Sequence, residues 1–271
     1  MIPLDDVEFK ELTRFLQEGY GIDLTKKRLL VQERLGRYVK SLGFTGFSDY
    51  FRYVQQERGG HELSKMIGRL TTNHTYFMRE EGHFGIYESA VLPWIVQELG
   101  DTDLRVWSAG CASGPEPYTL SMITLDYFYP REGHSGTCIL ATDISEETLF
   151  RASRGVYKAD ELTALPEQWR QRYFTPTEDK KLQITQALRK NVAFKCLNLL
   201  DDFEVKKPFH AIFCRNVMIY FDNGTRETVV QKLYDALRPG GWLFIGQSET
   251  LSNLRHGFHY VCPSVYRKGS R

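Results

Sequence analysis

The sequence predicts an α/β protein, an open sheet of buried strands alternating with helices, preceded by a small all-α unit and interrupted by a small β insertion. Three observations predict it. The stretch LRVWSAGCASGPEPY, Leu104 to Tyr118, joins a short apolar strand to a glycine turn and a helix start. Further apolar runs, TCILATDIS, VAFKCLNLL and FHAIFCRNVMIYF, follow at intervals separated by helical patterns. Residues 4 to 70, by contrast, carry only helix punctuation. A length of 271 residues accommodates one large domain with a small companion.

In the first unit, Asp5 and Glu8 form a capping pair, Phe9, Leu12 and Leu16 line one face, and Gly19 and Gly21 stop the helix. A second helix is expected from about Thr25 to Leu42, ended by Gly43. A third runs from Ser48 to Glu57, ended by Gly59 and Gly60, and a fourth carries Leu63, Met66, Ile67 and Leu70 as an apolar stripe. At about 100° per residue, Val31, Leu35, Tyr38, Val39 and Leu42 of the second helix share one arc, and Lys26, Arg34, Arg37 and Lys40 fall largely opposite. Such a basic face is either a solvated surface or an electrostatic docking face for an acidic partner.

Residues 71 to 80, TTNHTYFMRE, break the helical rhythm. Asn73, Thr75 and Arg79 offer amide, hydroxyl and guanidinium groups from one linker, unless the segment is only a capped connection. A helix from about Glu81 to Leu99 leads into the strand at Leu104 to Trp107. Gly110 and Gly114 bracket the turn after it, small residues let a ligand approach the backbone, and a helix from Glu116 to about Tyr129 presents free N–H groups. The next buried strand ends at Asp143, placed to accept hydrogen bonds from the two hydroxyls of a ribose. The spacing from Gly114 to Asp143 exceeds the roughly 20 residues of the dinucleotide fingerprint, and GCASG lacks GxGxxG, which weakens a nicotinamide cofactor.

Ser145 caps a helix that stops at Gly155. An irregular insertion follows, with a short helix near Pro166 to Tyr173 and a ribbon around Leu182 to Leu188. The buried run VAFKCLNLL delivers Asn198 and Leu199, which could meet an adenine; Asn198 could equally cap the turn before Asp201. A central strand then brings Arg215, Asn216 and Tyr220 into the same crevice as Gly110, Glu116 and Asp143. A helix from about Gly224 to Leu237 closes with LRPGG, WLFIG adds a strand, and HYVCPSVYRK adds one or two at the sheet edge.

A net charge of +1 excludes the broadly basic surface of nonspecific DNA binders. The five cysteines (Cys111, Cys138, Cys196, Cys214 and Cys262) are widely spaced and mostly within apolar runs, and read as buried thiols of a reducing compartment. No metal site is expected. Without a membrane span or a basic-then-apolar leader in MIPLDDVEFK, the expected location is cytoplasmic. With no heptad run, the expected state is a monomer.

The combination of VWSAGCASGPEPY, ATDIS, CLNLL, IFCRNVMIY and LRPGGWLFIG, after TTNHTYFMRE and a basic helical unit, closely resembles the CheR family of chemotaxis receptor methyltransferases, over nearly the whole chain. The resemblance implies a class I methyltransferase (Rossmann-like) fold: a mostly parallel sheet with helices on both faces, a small all-α domain before it and a small β-subdomain inserted. It implies a helical receptor-docking domain at 1–71, a linker at 72–80 that contributes to the cofactor site, and a methyltransferase domain at 81–271 with the insertion near 173–190.

The implied cofactor is S-adenosylmethionine, with S-adenosylhomocysteine as product, and the implied partners are the glutamate-bearing cytoplasmic helices of chemoreceptors. By the family pattern, Asn73, Thr75, Arg79, Glu116, Asp143, Asn198, Leu199, Asn216 and Val217 hold the cofactor, and the glycine turn adds Gly110 and Gly114 as its backbone cradle. Arg79 and Tyr220 lie near the methyl group and orient the carboxylate, and Lys26, Lys27, Arg34, Arg37 and Lys40 dock the receptor. Pro115 departs from the family's TGEEPY, and Cys111 is expected only to pack. The insertion YFTPTEDKKLQITQ is short and lacks glycine, which favours direct docking over capture of a receptor's C-terminal peptide. A methyltransferase of another substrate class, or a non-catalytic S-adenosylmethionine sensor, shares these features.

Overall fold

The computed structural model describes residues 2–57, 60–99, 104–128 and 138–270. Gly59 and Tyr129, expected at helix ends, lie outside the described residues, as does the side chain of Cys138. The chain opens with four helices, α1 (Asp6–Tyr20), α2 (Arg28–Ser41), α3 (Phe47–Gln56) and α4 (His61–Leu70). The expected capping box starts α1: Asp5 accepts from the Val7 and Glu8 N–H groups, and Glu8 accepts from the Asp5 N–H. Gly19 is helical, and Gly21 alone ends α1 at φ +69°. There the Gly21 N–H donates to Gln17 O and the Ile22 N–H to Leu16 O, the paired closure of a left-handed helix cap. α2 starts three residues later than expected, with Lys27 at its cap, which leaves Thr25 and Lys26 in the preceding turn. Leu16, Val31, Leu35, Phe47, Tyr50 and Ile67 close this unit's own core.

After the linker come α5 (Glu81–Ile86) and α6 (Leu92–Leu99), joined by a π-turn at Tyr87–Val91 where the Leu92 N–H reaches Tyr87 O. Pro93 lacks an N–H for the next α-helical bond, which accounts for a break in register at this place. The remaining elements are β1 (Arg105–Ala109), α7 (Pro115–Phe128), β2 (Cys138–Asp143), α8 (Glu146–Arg154), β3 (Val156–Tyr157), α9 (Glu167–Tyr173), β4 (Phe174–Pro176), β5 (Leu182–Ile184), α10 (Gln186–Arg189), β6 (Val192–Cys196), β7 (Phe209–Cys214), α11 (Asn223–Ala236), β8 (Leu237–Ile245), β9 (Phe258–Cys262) and β10 (Val265–Lys268).

Seven strands form the main sheet in the order β6-β2-β1-β7-β8-β10-β9. The first five are parallel, and β10 pairs antiparallel with both β8 and β9. Period-two alternation divides the core: Val106, Phe213 and Phe244 face α5, α6 and α7, and Trp107, Ile212 and Leu243 face α11. The chain leaves β1 toward β2 on one side and later returns to β7 on the other, so a crevice opens beyond the carboxyl ends of β1 and β7.

Three expectations are corrected. LRPGG does not close a helix but begins β8, and its register against β7 shifts between Phe209 and Ala211. VAFKC is an edge strand with Ala193, Lys195 and Cys196 exposed, so its apolar look reflects only one covered face and Cys196 is not a buried thiol. The insertion's ribbon ends at Ile184, after which residues 186–189 form α10, and its third strand comes from Val156–Tyr157.

Candidate active site

A cavity of about 280 Å³ sits at the carboxyl ends of β1, β2, β6 and β7. It gathers Asn73, Thr75, Arg79, Gly110, Glu116, Asp143, Asn198, Leu199, Asn216, Val217 and Tyr220. Of the expected cofactor residues only Gly114 is absent from its wall. At φ +95°, Gly114 packs instead against Tyr157, Ala152 and Tyr118, so it is required by helix packing. Cys111, expected only to pack, lines the cavity although it is 2% exposed.

Gly110 is fixed by two constraints: φ is +85°, and a Cβ would overlap Val217 Cγ2. The Gly110 and Cys111 N–H groups both donate to Thr142 O, at 2.7 and 2.9 Å, tying the turn to β2. Asp143 continues that tie, accepting from the Ala112 N–H and the Ser145 N–H, each at 2.9 Å. Burial pushes the Asp143 carboxyl up against these two donors. A carboxylate has about four acceptor positions, so lone pairs are left for a ligand diol.

The floor of the cavity holds a buried charge cluster centred on Arg215, a residue that the sequence places in the crevice without indicating a role. Its Nε and Nη2 donate to Glu80 Oε2 at 3.2 and 3.0 Å, its Nη1 to Glu116 Oε2 at 2.9 Å, and its Nη2 also to Arg79 O. Glu116 Oε1 accepts from Ser108 Oγ at 2.6 Å. Burial raises the Glu116 carboxyl despite Arg215, whereas at Glu80 burial is outweighed by the charge and hydrogen bonds of Arg215, and the carboxyl falls below its usual range. Glu80 sits at φ +57° and also takes an N–H from the Asn216 amide at 3.4 Å. One guanidinium thus joins the linker, α7 and the end of β7.

His83 packs beneath this cluster, 3% exposed, with Nδ1 3.4 Å from Glu80 Oε2 but out of hydrogen-bond alignment. Burial first, then the Arg215 charge, hold its pKa down to about 4 from the ordinary 6.5. Between those values the unfolded chain binds a proton that the folded chain refuses, so stability falls as pH drops through that window. Replacement by leucine removes this term: between pH 6.5 and 4 the unfolding free energy of His83→Leu should gain about 3 kcal/mol on the wild type. Parallel curves in urea titrations at the two pH values would count against it.

The linker is held by both units. Asn73 Nδ2 donates to Gly68 O and Thr148 Oγ1, at 3.4 and 3.3 Å, and Arg79 Nη1 donates to His74 O at 2.8 Å. The Tyr220 hydroxyl accepts from the Thr72 N–H at 2.9 Å and donates to Thr72 O at 3.3 Å, so it latches the linker as well as lining the cavity. Asn198 makes the turn cap that its sequence also allowed: Oδ1 accepts from the Leu200 N–H, and Nδ2 donates to Asp201 Oδ1 and Gly19 O.

Lys26 and Lys27, just before α2, and Arg37 and Lys40 on it are exposed. Arg34 is not free for docking: Nη1 donates to Leu70 O and Thr71 O at 2.9 and 3.1 Å, and Nη2 to Thr72 Oγ1 at 3.1 Å. It holds the end of α4 and the start of the linker, a task that no helical wheel displays.

Two family patterns match the chain: "CheR methyltransferase, all-alpha domain" over residues 7–71 and "CheR methyltransferase, SAM binding domain" over residues 73–266. A chemotaxis protein methyltransferase of Borreliella burgdorferi is 38% identical over 266 residues, covering 96% of this chain and 94% of its own. One from Escherichia coli K12 is 36% identical and covers 98% and 92%. Chemotaxis protein methyltransferase 1 of Pseudomonas aeruginosa is 34% identical, with 94% of each chain covered.

Proposed function

The chain belongs to the CheR family of S-adenosylmethionine-dependent methyltransferases, and from that premise we propose that it methylates glutamate side chains on the cytoplasmic helices of chemoreceptors, for sensory adaptation. One cavity carries this reading: it lies at the strand ends where a class I fold binds its ligand, and its wall combines an apolar side, a diol acceptor and paired charges. These groups fit the cofactor. All of the following line the cavity: in this reading Asp143 would offer acceptor positions to the ribose, Leu199 and Asn198 would flank the adenine, and Glu116, Asn216, Val217, Gly110 and the linker residues Asn73, Thr75 and Arg79 would hold the rest of the cofactor.

S-adenosylmethionine supplies an activated methyl group on a sulfonium that leaves as the neutral thioether of S-adenosylhomocysteine. The acceptor glutamate is ionised at neutral pH, its ordinary pKa being about 4.3, so this chain needs no general base. Its residues have to exclude water and align the carboxylate oxygen with the methyl carbon and sulfur, an orientation effect worth several kcal/mol. Arg79 and Tyr220 line the cavity from the linker and from the loop after β7, and their proposed role is to orient the carboxylate without moving a proton. Incubation with methyl-labelled cofactor and receptor-containing membranes tests the function. Label should appear on receptors and be released as methanol in mild base; base-stable label or label on a small molecule refutes it.

Tyr220→Phe keeps the ring but cuts the latch to Thr72. A fall of about three- to tenfold in kcat on receptor, the scale of one neutral hydrogen bond, is expected, and unchanged turnover would assign the latch no role. Docking separates from cofactor binding on α2. Reversal of the exposed Arg37 to Glu should weaken receptor methylation with S-adenosylhomocysteine affinity intact, whereas Arg34→Glu should lower methylation through cofactor affinity, because Arg34 holds the start of the linker. Equal losses in the two variants would argue against this division. No helix among the described residues is long and apolar enough to cross a membrane. The chain acts as a cytoplasmic monomer that docks directly on the receptor.

A further inference from the structure

The cavity is not built by the methyltransferase fold and linker alone. Tyr20 and Ile22, from the end of α1 and the turn after it, also line it. Several bonds fix them there. The left-handed cap at Gly21 turns the chain immediately after Tyr20, and a Cβ on Gly21 would lie 2.6 Å from Thr225 Cγ2 of α11. Asn198 Nδ2 donates to Gly19 O at 3.0 Å, the Asp23 N–H to Tyr220 O at 2.8 Å, and Gln17 Nε2 to Asp222 Oδ2 at 2.9 Å. Residues 19 to 23 are therefore bonded to the two loops, after β6 and after β7, that form the cavity's other walls.

The bond from Asn198 to the adjacent Gly19 and the nearness of Asp201 to Tyr20 put Tyr20 beside the loop after β6, whose Leu197, Asn198 and Leu199 line the same cavity. Its ring is half-buried and supported from behind by Phe15, with centroids 5.8 Å apart. Its hydroxyl is raised above its ordinary pKa by burial and by the neighbouring Asp201. Aromatic faces bind nucleobases by stacking without reading their edges, and loss of one such contact costs about tenfold or more in affinity.

Resting on the cofactor reading above, we propose that Tyr20 is a cofactor-contacting residue of the helical unit: its ring walls the nucleoside end of the pocket. The helical unit then has two tasks, receptor docking through α2 and completion of the cofactor site through the end of α1. By linkage, a partner that shifts this unit changes cofactor affinity, and bound cofactor steadies the unit.

The test is equilibrium binding to the full-length chain by calorimetry, with S-adenosylhomocysteine and with 5′-methylthioadenosine, which carries the nucleoside without the amino acid. Tyr20→Ala should weaken both ligands by about tenfold, and by the same factor, because the lost contact is to their shared part. Tyr20→Phe should restore affinity to within about twofold, since the ring and not the hydroxyl makes the contact. Tyr20→Leu keeps apolar volume without a π face and should fall between them, which serves if the alanine variant unfolds. A folded alanine or leucine variant that binds both ligands like the wild type overturns the placement of Tyr20. A loss confined to S-adenosylhomocysteine overturns it too, by moving Tyr20 to the amino-acid end. Wild-type protein that binds neither ligand overturns the cofactor reading itself.

Discussion

Arg215→Ala should destabilise the fold by about 3–5 kcal/mol and abolish measurable cofactor binding, because it strands two buried carboxylates that share one cation. The Arg215 side chain is 2% exposed, and those of Glu80 and Glu116 are 12% and 13% exposed, so water can replace only part of the lost partner. The guanidinium also holds Arg79 O, so its removal frees the linker at the point where Arg79 enters the cavity. Stability and binding can be told apart. Arg215→Met combined with Glu80→Gln and Glu116→Gln removes all three charges; it should recover much of the unfolding free energy, as neutral replacements of buried ion clusters do, yet still bind S-adenosylhomocysteine poorly. Recovery of both would reduce the cluster to a packing device. Arg215→Lys should fall short as well, since an ammonium cannot reproduce the planar fork that reaches Glu80 on one side and Glu116 on the other.

This cluster also shows where sequence reading stops. The strand, turn and helix at Leu104–Tyr118, the capping box at Asp5 and Glu8, and Asp143 at the end of β2 all follow from local chemistry: alternation, turn residues and caps act over a few positions. Arg215 meets Glu80 and Glu116 from 135 and 99 positions away, and nothing in the chain's local pattern pairs them. Arg34 is similar, because its place on a basic helical face gives no sign of the carbonyls at the end of α4. Gly110 and Gly114 look alike in sequence; only packing reveals that one meets Val217 in the cavity and the other meets Tyr157 behind it. VAFKC failed for a different reason. An apolar run states that a strand is covered, not whether one face or both are, and strand order decides which.

A second large effect is expected at Glu249, in the loop after β8. Its Oε2 accepts the N–H groups of Gly246 and Asn216, at 2.6 and 3.0 Å, and its Oε1 accepts that of Ile219 at 3.1 Å. Asn216 is held at φ +60°, a left-handed conformation that asparagine tolerates better than most side-chain-bearing residues and that the Glu249 hydrogen bonds help to fix. One carboxylate therefore sets the shape of the loop that presents Asn216, Val217 and Tyr220 to the cavity. Glu249→Ala leaves three N–H donors without an acceptor and should cost about 3 kcal/mol or more, roughly 6–12 °C in Tm for a domain of 150–250 residues. The conservative Glu249→Gln retains a single acceptor oxygen and turns an NH₂ toward at least one donor, so it should recover less than half of that loss. Because the loop relaxes toward ordinary backbone angles in both variants, S-adenosylhomocysteine affinity should fall together with Tm. If Glu249→Gln matched the wild type in both measurements, the negative charge would be irrelevant, and Asn216 would owe its left-handed geometry to the cluster at Glu80 instead.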